Sequence, residues 1–305
     1  VIVIVCPGQG SQTPGFLEPW LELEGFRARI ETISDEVGID LVAHGTVSDA
    51  ETIRDTAVAQ PLIVSAGLLT LAALFAGGRK EKIGGIAGHS VGEVTAAAGA
   101  GILTETDAVA FVRERALAMA DAAALVPTGM SAVIGADESE LDSRLDELGL
   151  APANYNGGGQ IVVAGKLDAL AALSENPPQR ARVIPLQVAG AFHTRYMLPA
   201  RERLAAFAPA VTVSDPTLPI WTNSDGSAVR EGREFVDLLV GQVAAPVRWD
   251  RCMESFLAAG VTGIIEVAPA GALVGLAKRG LKGVPSVAVK TPDDLPAAYA
   301  LIDEQ

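Results

Sequence analysis

A serine set between glycines, Gly88-His89-Ser90-Val91-Gly92, is the stretch of this chain whose residue types and spacing best fit covalent chemistry. A hydroxyl on a tight strand-to-helix turn stands clear of its neighbours. The free N–H groups at the helix start beside it can stabilise an oxyanion. The five residues alone are common in loops, so the flanks carry the argument. Apolar Ile83-Gly84-Gly85-Ile86-Ala87 before them reads as a buried strand, and the Ala-rich run Glu93–Gly99 after them reads as a helix.

A serine nucleophile needs a base, and the chain has three histidines, His44, His89 and His193. His44 lies in a polar stretch read as a loop. His89 adjoins Ser90, so its side chain is expected to point away from the serine side chain. His193, in Gly190-Ala191-Phe192-His193, remains by elimination as the general base. A hydrogen-bonded histidine with only a structural role at a domain junction is the alternative. Alpha/beta hydrolases place their triad histidine late in the chain. No histidine follows His193 here, which weakens a plain hydrolase reading without excluding it. The segment Cys6-Pro7-Gly8-Gln9-Gly10-Ser11-Gln12 could bring a backbone N–H close to a ligand. It fails the dinucleotide fingerprint, because Thr13 stands where the third glycine is needed. With no Walker sequence, no HExxH and no cysteine–histidine grouping, no metal site is expected.

These residues need a scaffold. Strand-like runs at Val1–Val5, Ile83–Gly88, Ile220–Asn223, Gly263–Val267 and Val284–Ala288 are separated by helix-like runs. The helical runs include Glu51–Asp55, Ala59–Phe75, Glu93–Ala100 and Thr106–Ala122. The alternation predicts an α/β fold with a mostly parallel sheet. The middle of the chain differs. Strand Met130–Gly135, helix Glu138–Leu148, strands Pro152–Asn156 and Gln160–Ala164, helix Leu167–Ser174 and strand Ala181–Val188 follow one another. That β-α-β-β-α-β order is the split βαβ pattern of a ferredoxin-like unit. The expected organisation is a large discontinuous α/β domain, residues 1–126 and 191–305, with a small subdomain inserted at 127–190.

Of the 305 residues, 49% are hydrophobic and 5% aromatic, which suits a large core of closely packed helices and sheet. The net charge of −14 provides no basic field for duplex nucleic acid, so no nucleic-acid partner is expected. Cys6 and Cys252 form no framework, which is reduced-compartment usage. Val1–Val5 is too short for a signal h-region and has no basic start. The chain starts on Val1, so an initiator methionine is expected either to have been removed or to lie outside this sequence. The longest apolar run, Leu62–Ala76, is interrupted by Ser65, Gly67 and Thr70 and falls short of a comfortable span of about 20 residues. It is expected to be a buried core helix. A soluble, cytoplasmic monomer follows as the expectation, with no membrane partner.

Taken in order, Pro7-Gly8-Gln9-Gly10-Ser11-Gln12, Gly88-His89-Ser90-Val91-Gly92-Glu93, Arg115, Gly190-Ala191-Phe192-His193 and Gln242 with Pro246-Val247-Arg248-Trp249 form a specific set. The set resembles malonyl-CoA:acyl carrier protein transacylases and the related acyltransferase domains of polyketide synthases. The likeness runs from Val1 to about Gly280. It implies a hydrolase-like α/β core with an inserted ferredoxin-like subdomain, in agreement with the pattern above.

The resemblance also implies roles. Ser90 corresponds to the acyl-accepting nucleophile and His193 to its base. The backbone carbonyl of Gln242 corresponds to the group that orients the histidine, so its side chain is expected to be secondary. The N–H groups of Gln9 and Val91 correspond to the oxyanion hole. Arg115 corresponds to the partner of the malonyl carboxylate, a bidentate contact that lysine reproduces poorly. Phe192 corresponds to the residue beside the malonyl α-carbon, where a bulky ring disfavours a methyl branch. Met119, one helical turn beyond Arg115, either lines the same wall or fills the core. Gln60 and Asn156 are further candidates for the cleft, and Glu93 is read as a favourable charge at a helix start. The implied partners are malonyl-CoA and an acyl carrier protein whose phosphopantetheine thiol takes the acyl group, with no cofactor bound to the chain itself. A thioesterase, for which Arg115 has no use, and a non-catalytic carrier-docking module are the competing readings.

Overall fold

The computed structural model describes residues 1–188 and 190–304. In chain order, β1 (Ile2–Cys6) leads to α1 (Phe26–Val37), α2 (Leu41–Thr46) and α3 (Thr56–Phe75). Then come β2 (Ile83–Gly88), α4 (Gly92–Gly99) and α5 (Glu105–Leu125). The middle holds β3 (Thr128–Ile134), α6 (Glu138–Leu148), β4 (Ala151–Gly157), β5 (Gln160–Lys166), α7 (Leu167–Glu175) and β6 (Arg182–Pro185). The return contains α8 (Leu198–Phe207), β7 (Ile220–Trp221), β8 (Ala228–Val229), α9 (Gly232–Gln242) and β9 (Val247–Arg248). It closes with α10 (Trp249–Ala258), β10 (Gly263–Glu266), α11 (Ala272–Gly280), β11 (Ser286–Ala288) and α12 (Leu295–Asp303).

The chain is a mixed α/β protein with two sheets. The first has six strands in the order β11-β10-β1-β2-β7-β8. Every residue of β1 is buried, as its unbroken apolar run Ile2-Val3-Ile4-Val5-Cys6 requires of a strand covered on both faces. It pairs in parallel with β10 on one side and β2 on the other. Only the edge strand β8 runs antiparallel. Parallel neighbours need long crossovers, which the helices supply. Helix α3 is apolar all round and lies buried inside the protein, so the run that resembles a short membrane span is a core helix.

The second sheet has the order β6-β3-β5-β4-β9. Its β3-α6-β4-β5-α7-β6 succession is the one read from the sequence, and its antiparallel pairs enclose a small core of Val133, Leu141, Leu145, Ile161, Val163 and Leu173. One feature departs from a closed insertion. β9, which comes after the proposed return, adds in parallel to β4, pairing Asn154 with Val247 and Tyr155 with Arg248. The two sheets are therefore linked by a strand as well as by covalent connections. Ala189, next to the expected boundary at 190, lies outside the described residues.

Some local expectations shift. His44 sits in α2 rather than a loop, with Nδ1 3.0 Å from Ser48 Oγ. Residues 51–55 form a single 3-10 turn at Thr52–Arg54 instead of a helix. The strand expected at Ile220–Asn223 ends at Trp221, because Asn223 leaves the sheet to bond the serine turn. Helices α1, α2 and α8–α12 are not among those named from the sequence, although the strands β7, β10 and β11 between them are.

Candidate active site

Ser90 stands on the turn between β2 and α4 with φ 54°, a left-handed conformation that a side-chain-bearing residue adopts only when held. The glycines on either side are needed for space. A Cβ on Gly88 would come within 2.0 Å of Gly92, and one on Gly92 within 2.0 Å of the Cys6 carbonyl oxygen. Asn223 holds the turn. Its Oδ1 accepts the Ser90 backbone N–H at 2.8 Å and its Nδ2 donates to the Gly88 carbonyl at 2.7 Å.

His193 also has a positive φ, 61°, and its backbone N–H donates to the Val243 carbonyl at 3.0 Å. Its Nδ1 lies 2.8 Å from the Gln242 carbonyl oxygen and its Nε2 lies 2.8 Å from Ser90 Oγ. A carbonyl only accepts, so Nδ1 carries the proton and Nε2 presents its lone pair to the serine hydroxyl. Burial, with the Arg115 charge adding to it, pushes His193 down to about 3. The imidazole is thus neutral, and available as a base, throughout the physiological range. The rate at which a neutral serine reagent such as phenylmethanesulfonyl fluoride modifies Ser90 is expected to hold as pH falls through 6.5, the ordinary imidazole value, and to drop only well below it. A midpoint near 6.5 would contradict the buried, neutral base.

Arg115, on α5, is 1 % exposed. Its guanidinium donates to Gln60 Oε1 at 2.5 Å, to Gln242 Oε1 at 2.7 Å and to Ser90 Oγ at 3.3 Å, and Nε has no partner among the described residues. Burial pulls it down to about 10, so it remains charged at neutral pH. The result is a buried cation whose terminal nitrogen reaches the Ser90 hydroxyl oxygen.

A cavity of about 240 Å³ opens in front of these groups. Of the residues selected from sequence, Ser90, His193, Arg115, Gln9, Val91 and Gln60 line it. Met119, Phe192 and Asn156 line it too, so Met119 faces the cavity as well as the core. Gln242 stands behind it. The backbone N–H groups of Gln9 and Val91 have no acceptor among the described residues. Met130, Val162, Leu186, Val188, Leu273 and Leu276 complete the lining with an apolar wall that the sequence did not disclose. His89 turns toward the second sheet, where its Nε2 meets Asn156 Oδ1 at 2.9 Å, and Asn156 in turn donates to Gln160 at 3.1 Å.

Sequence reasoning missed two buried polar residues. Asn223 sits just beyond the carboxyl end of β7, the side of a parallel sheet where sites form, and that position was the available signal. Glu93 was read as a helix-start charge, yet it is 1 % exposed and accepts the Asn223 backbone N–H at 2.6 Å and the Gln242 side-chain amide. Burial pushes it up to about 8, against the pull of those donors and of Arg115. The Gln242 side chain, expected to be secondary, bridges Glu93 and Arg115.

A serine, a neutral histidine held by a carbonyl, two unoccupied N–H groups and a buried arginine beside one cavity are equipment for acyl transfer. Residues 3–292 match the acyl transferase domain family, and the chain belongs to that family and is an acyltransferase. Within it, the chain is similar to the malonyl CoA-acyl carrier protein transacylase of Mycobacterium tuberculosis, at 50% identity over 298 residues covering 97% of this chain and 98% of the relative. It is 32% identical to the Escherichia coli K12 enzyme of the same name, over 97% of this chain and 98% of that one. The crystal structure of the M. tuberculosis protein superposes with a TM-score of 0.94 at 49% identity, covering 97% of this chain and 99% of that chain. A further solved structure, of a malonyl-transacylase in complex with a type II polyketide acyl-carrier protein, gives a TM-score of 0.89 at 28% identity over 100% and 99% of the two chains.

Proposed function

We propose that this chain transfers a malonyl group from malonyl-CoA to the phosphopantetheine thiol of an acyl carrier protein, through a malonyl ester on Ser90. The observation that carries the reading is the alignment of the Gln242 carbonyl, His193 and Ser90 at 2.8 Å each, with the Arg115 guanidinium 3.3 Å from the same serine oxygen. His193 Nε2 takes the hydroxyl proton as Ser90 Oγ attacks the thioester carbonyl. The N–H groups of Gln9 and Val91 receive the oxyanion. The tetrahedral centre collapses, the C–S bond breaks, and coenzyme A leaves as its thiol with the proton from His193. The carrier thiol then attacks the ester by the reverse path, in ping-pong order. Arg115 pairs with the free malonyl carboxylate, and Phe192 restricts the space beside the α-carbon. Neither displacement calls for a resident cofactor.

The same reading treats the first sheet and its helices as a hydrolase-like core, and residues 127–190 as a ferredoxin-like subdomain inserted between 1–126 and 191–305. The strand order β6-β3-β5-β4 supports it. A cytoplasmic monomer fits this reading. The names of the similar proteins support the choice of donor and acceptor. Incubation with labelled malonyl-CoA should leave label on Ser90 that moves to added carrier protein. Release of free malonate alone would indicate a thioesterase, and no label a non-catalytic docking module.

Carrier docking is expected to use a local basic patch despite the net charge of −14. Lys166, Arg180, Arg182, Arg195, Lys278 and Arg279 are all exposed, and none has a carboxylate within 4.0 Å among the described residues. Gly158, at the β4–β5 turn, packs against Arg279 of α11, so the second sheet meets that helix beside this charge. Charge reversal there should raise the carrier KM and leave Ser90 acylation by malonyl-CoA nearly unchanged. Equal loss in both half-reactions would rule the patch out as a carrier-specific surface.

A further inference from the structure

Behind the nucleophile lies a buried polar knot that neither displacement touches directly. Glu93, in the first turn of α4, is buried, as are its chain neighbours Val91, Val94, Ala96 and Ala97. One carboxyl oxygen accepts the Asn223 backbone N–H at 2.6 Å, and the other accepts Nε2 of Gln242. That same Nε2 reaches the Ser90 carbonyl at 3.0 Å and Asn223 Oδ1 at 3.3 Å. The far end of the amide, Gln242 Oε1, accepts the Arg115 guanidinium at 2.7 Å. The backbone carbonyl of Gln242 meanwhile holds His193 Nδ1 at 2.8 Å. One residue thus contacts both the base and the cation, and Glu93 contacts that residue.

We propose that Glu93 is a positioning residue for the transfer: by accepting the Gln242 amide it fixes which end of that amide meets Arg115, and it steadies the Gln242 carbonyl that orients His193. The inference rests on the proposed function of the site.

An amide has two unlike ends, and a guanidinium can only donate. Arg115 therefore requires Oε1, which commits Nε2 to find acceptors on the other side. Two N–H donors face the two Glu93 oxygens, one from Asn223 and one from Gln242, so this geometry calls for the ionised carboxylate, the form that prevails above the value of about 8 to which burial raises it. A glutamine at position 93 has the same shape but one oxygen. It would leave one of those donors unpaired, or Gln242 would turn over and set its Nε2 against the Arg115 donors. Either outcome leaves a buried polar group without a partner or loosens the guanidinium, and both are unfavourable in a buried site. If Glu93 served only to place negative charge at a helix start, its loss would weaken α4 and lower activity toward every thioester alike.

The test compares Ser90 acylation by malonyl-CoA and by acetyl-CoA in the wild type, Glu93→Gln and Glu93→Asp, at a pH above about 8, where Glu93 is ionised, with thermal midpoints. Glu93→Gln is expected to lower malonyl acylation roughly 10- to 100-fold, the scale of a lost hydrogen bond to a charged group. The malonyl KM rises and the malonyl-to-acetyl ratio falls, because acetyl-CoA makes no use of Arg115. Glu93→Asp keeps two oxygens and should recover part of the ratio. An unchanged ratio in Glu93→Gln, including a uniform loss with a lowered thermal midpoint, overturns the proposal, as does an aspartate no better than glutamine. Should the position 93 variants not fold, Gln242→Met removes the amide and keeps the backbone carbonyl. The ratio must fall there too, and an unchanged ratio overturns the proposal. A wild type that forms no malonyl-Ser90 overturns the proposed function and this inference together. A malonylated wild type with an indifferent Glu93→Gln overturns this inference alone.

Discussion

Ser90→Ala should abolish covalent malonylation, with a loss on the order of 10⁴- to 10⁶-fold in transfer rate, while the fold survives. The replacement removes only an oxygen, and the turn stays pinned by Asn223 and by the flanking glycines. Mass spectrometry of the wild type after malonyl-CoA treatment checks the assignment, and malonate on any other residue would refute it. His193→Ala should slow the same acylation severely, because the hydroxyl loses the only imidazole nitrogen within hydrogen-bond distance among the described residues. His44→Ala should be nearly silent, since His44, on α2, contacts Ser48 beyond the end of that helix and does not line the cavity. Equal activity of the two histidine variants would mean the base is misassigned.

Arg115→Ala should decide the acyl group. The guanidinium is buried, and a hydrogen bond to a charged group contributes roughly 1.5–3 kcal/mol, so malonyl-CoA should lose about 10- to 100-fold or more. Acetyl-CoA has no carboxylate to strand and should lose much less. Removal also frees the Gln60 and Gln242 oxygens that Arg115 now satisfies, so Arg115→Lys is the cleaner comparison. Lysine keeps the charge but not the fork, and should recover only part of the malonyl rate. The quantity to measure is the ratio of Ser90 acylation rates for the two thioesters, and a ratio unchanged in Arg115→Ala would remove the carboxylate-clamp role. A second consequence follows from electrostatics. The Arg115 charge helps to hold His193 low, so in Arg115→Ala the imidazole should titrate closer to 6.5 and the acid limb of serine modification should move up in pH.

The sequence by itself determined the serine turn, the strand before it and the helix after it. Glycine spacing, an apolar run and an Ala-rich run are local signals, and the physics that reads them is local too. It also determined the β-α-β-β-α-β middle segment, whose strands pair with near neighbours in the chain. Elimination among three histidines was enough to select His193, but not to say what holds it. The tertiary structure alone decided that β9 joins the second sheet, because two residues, Val247 and Arg248, carry no periodicity of their own. It alone decided the apolar wall, which gathers Met130, Val162, Leu186 and Leu276 from separate elements. Above all it decided the partners of the polar residues behind Ser90. A linear reading puts Glu93 at a helix start, Asn223 at a strand end and Gln242 in the role of a backbone carbonyl, since nothing local marks their side chains as buried. Folding removes them from water, and a buried donor or acceptor must then find its partner. The partners they find are one another, Arg115 and the turn that bears the serine.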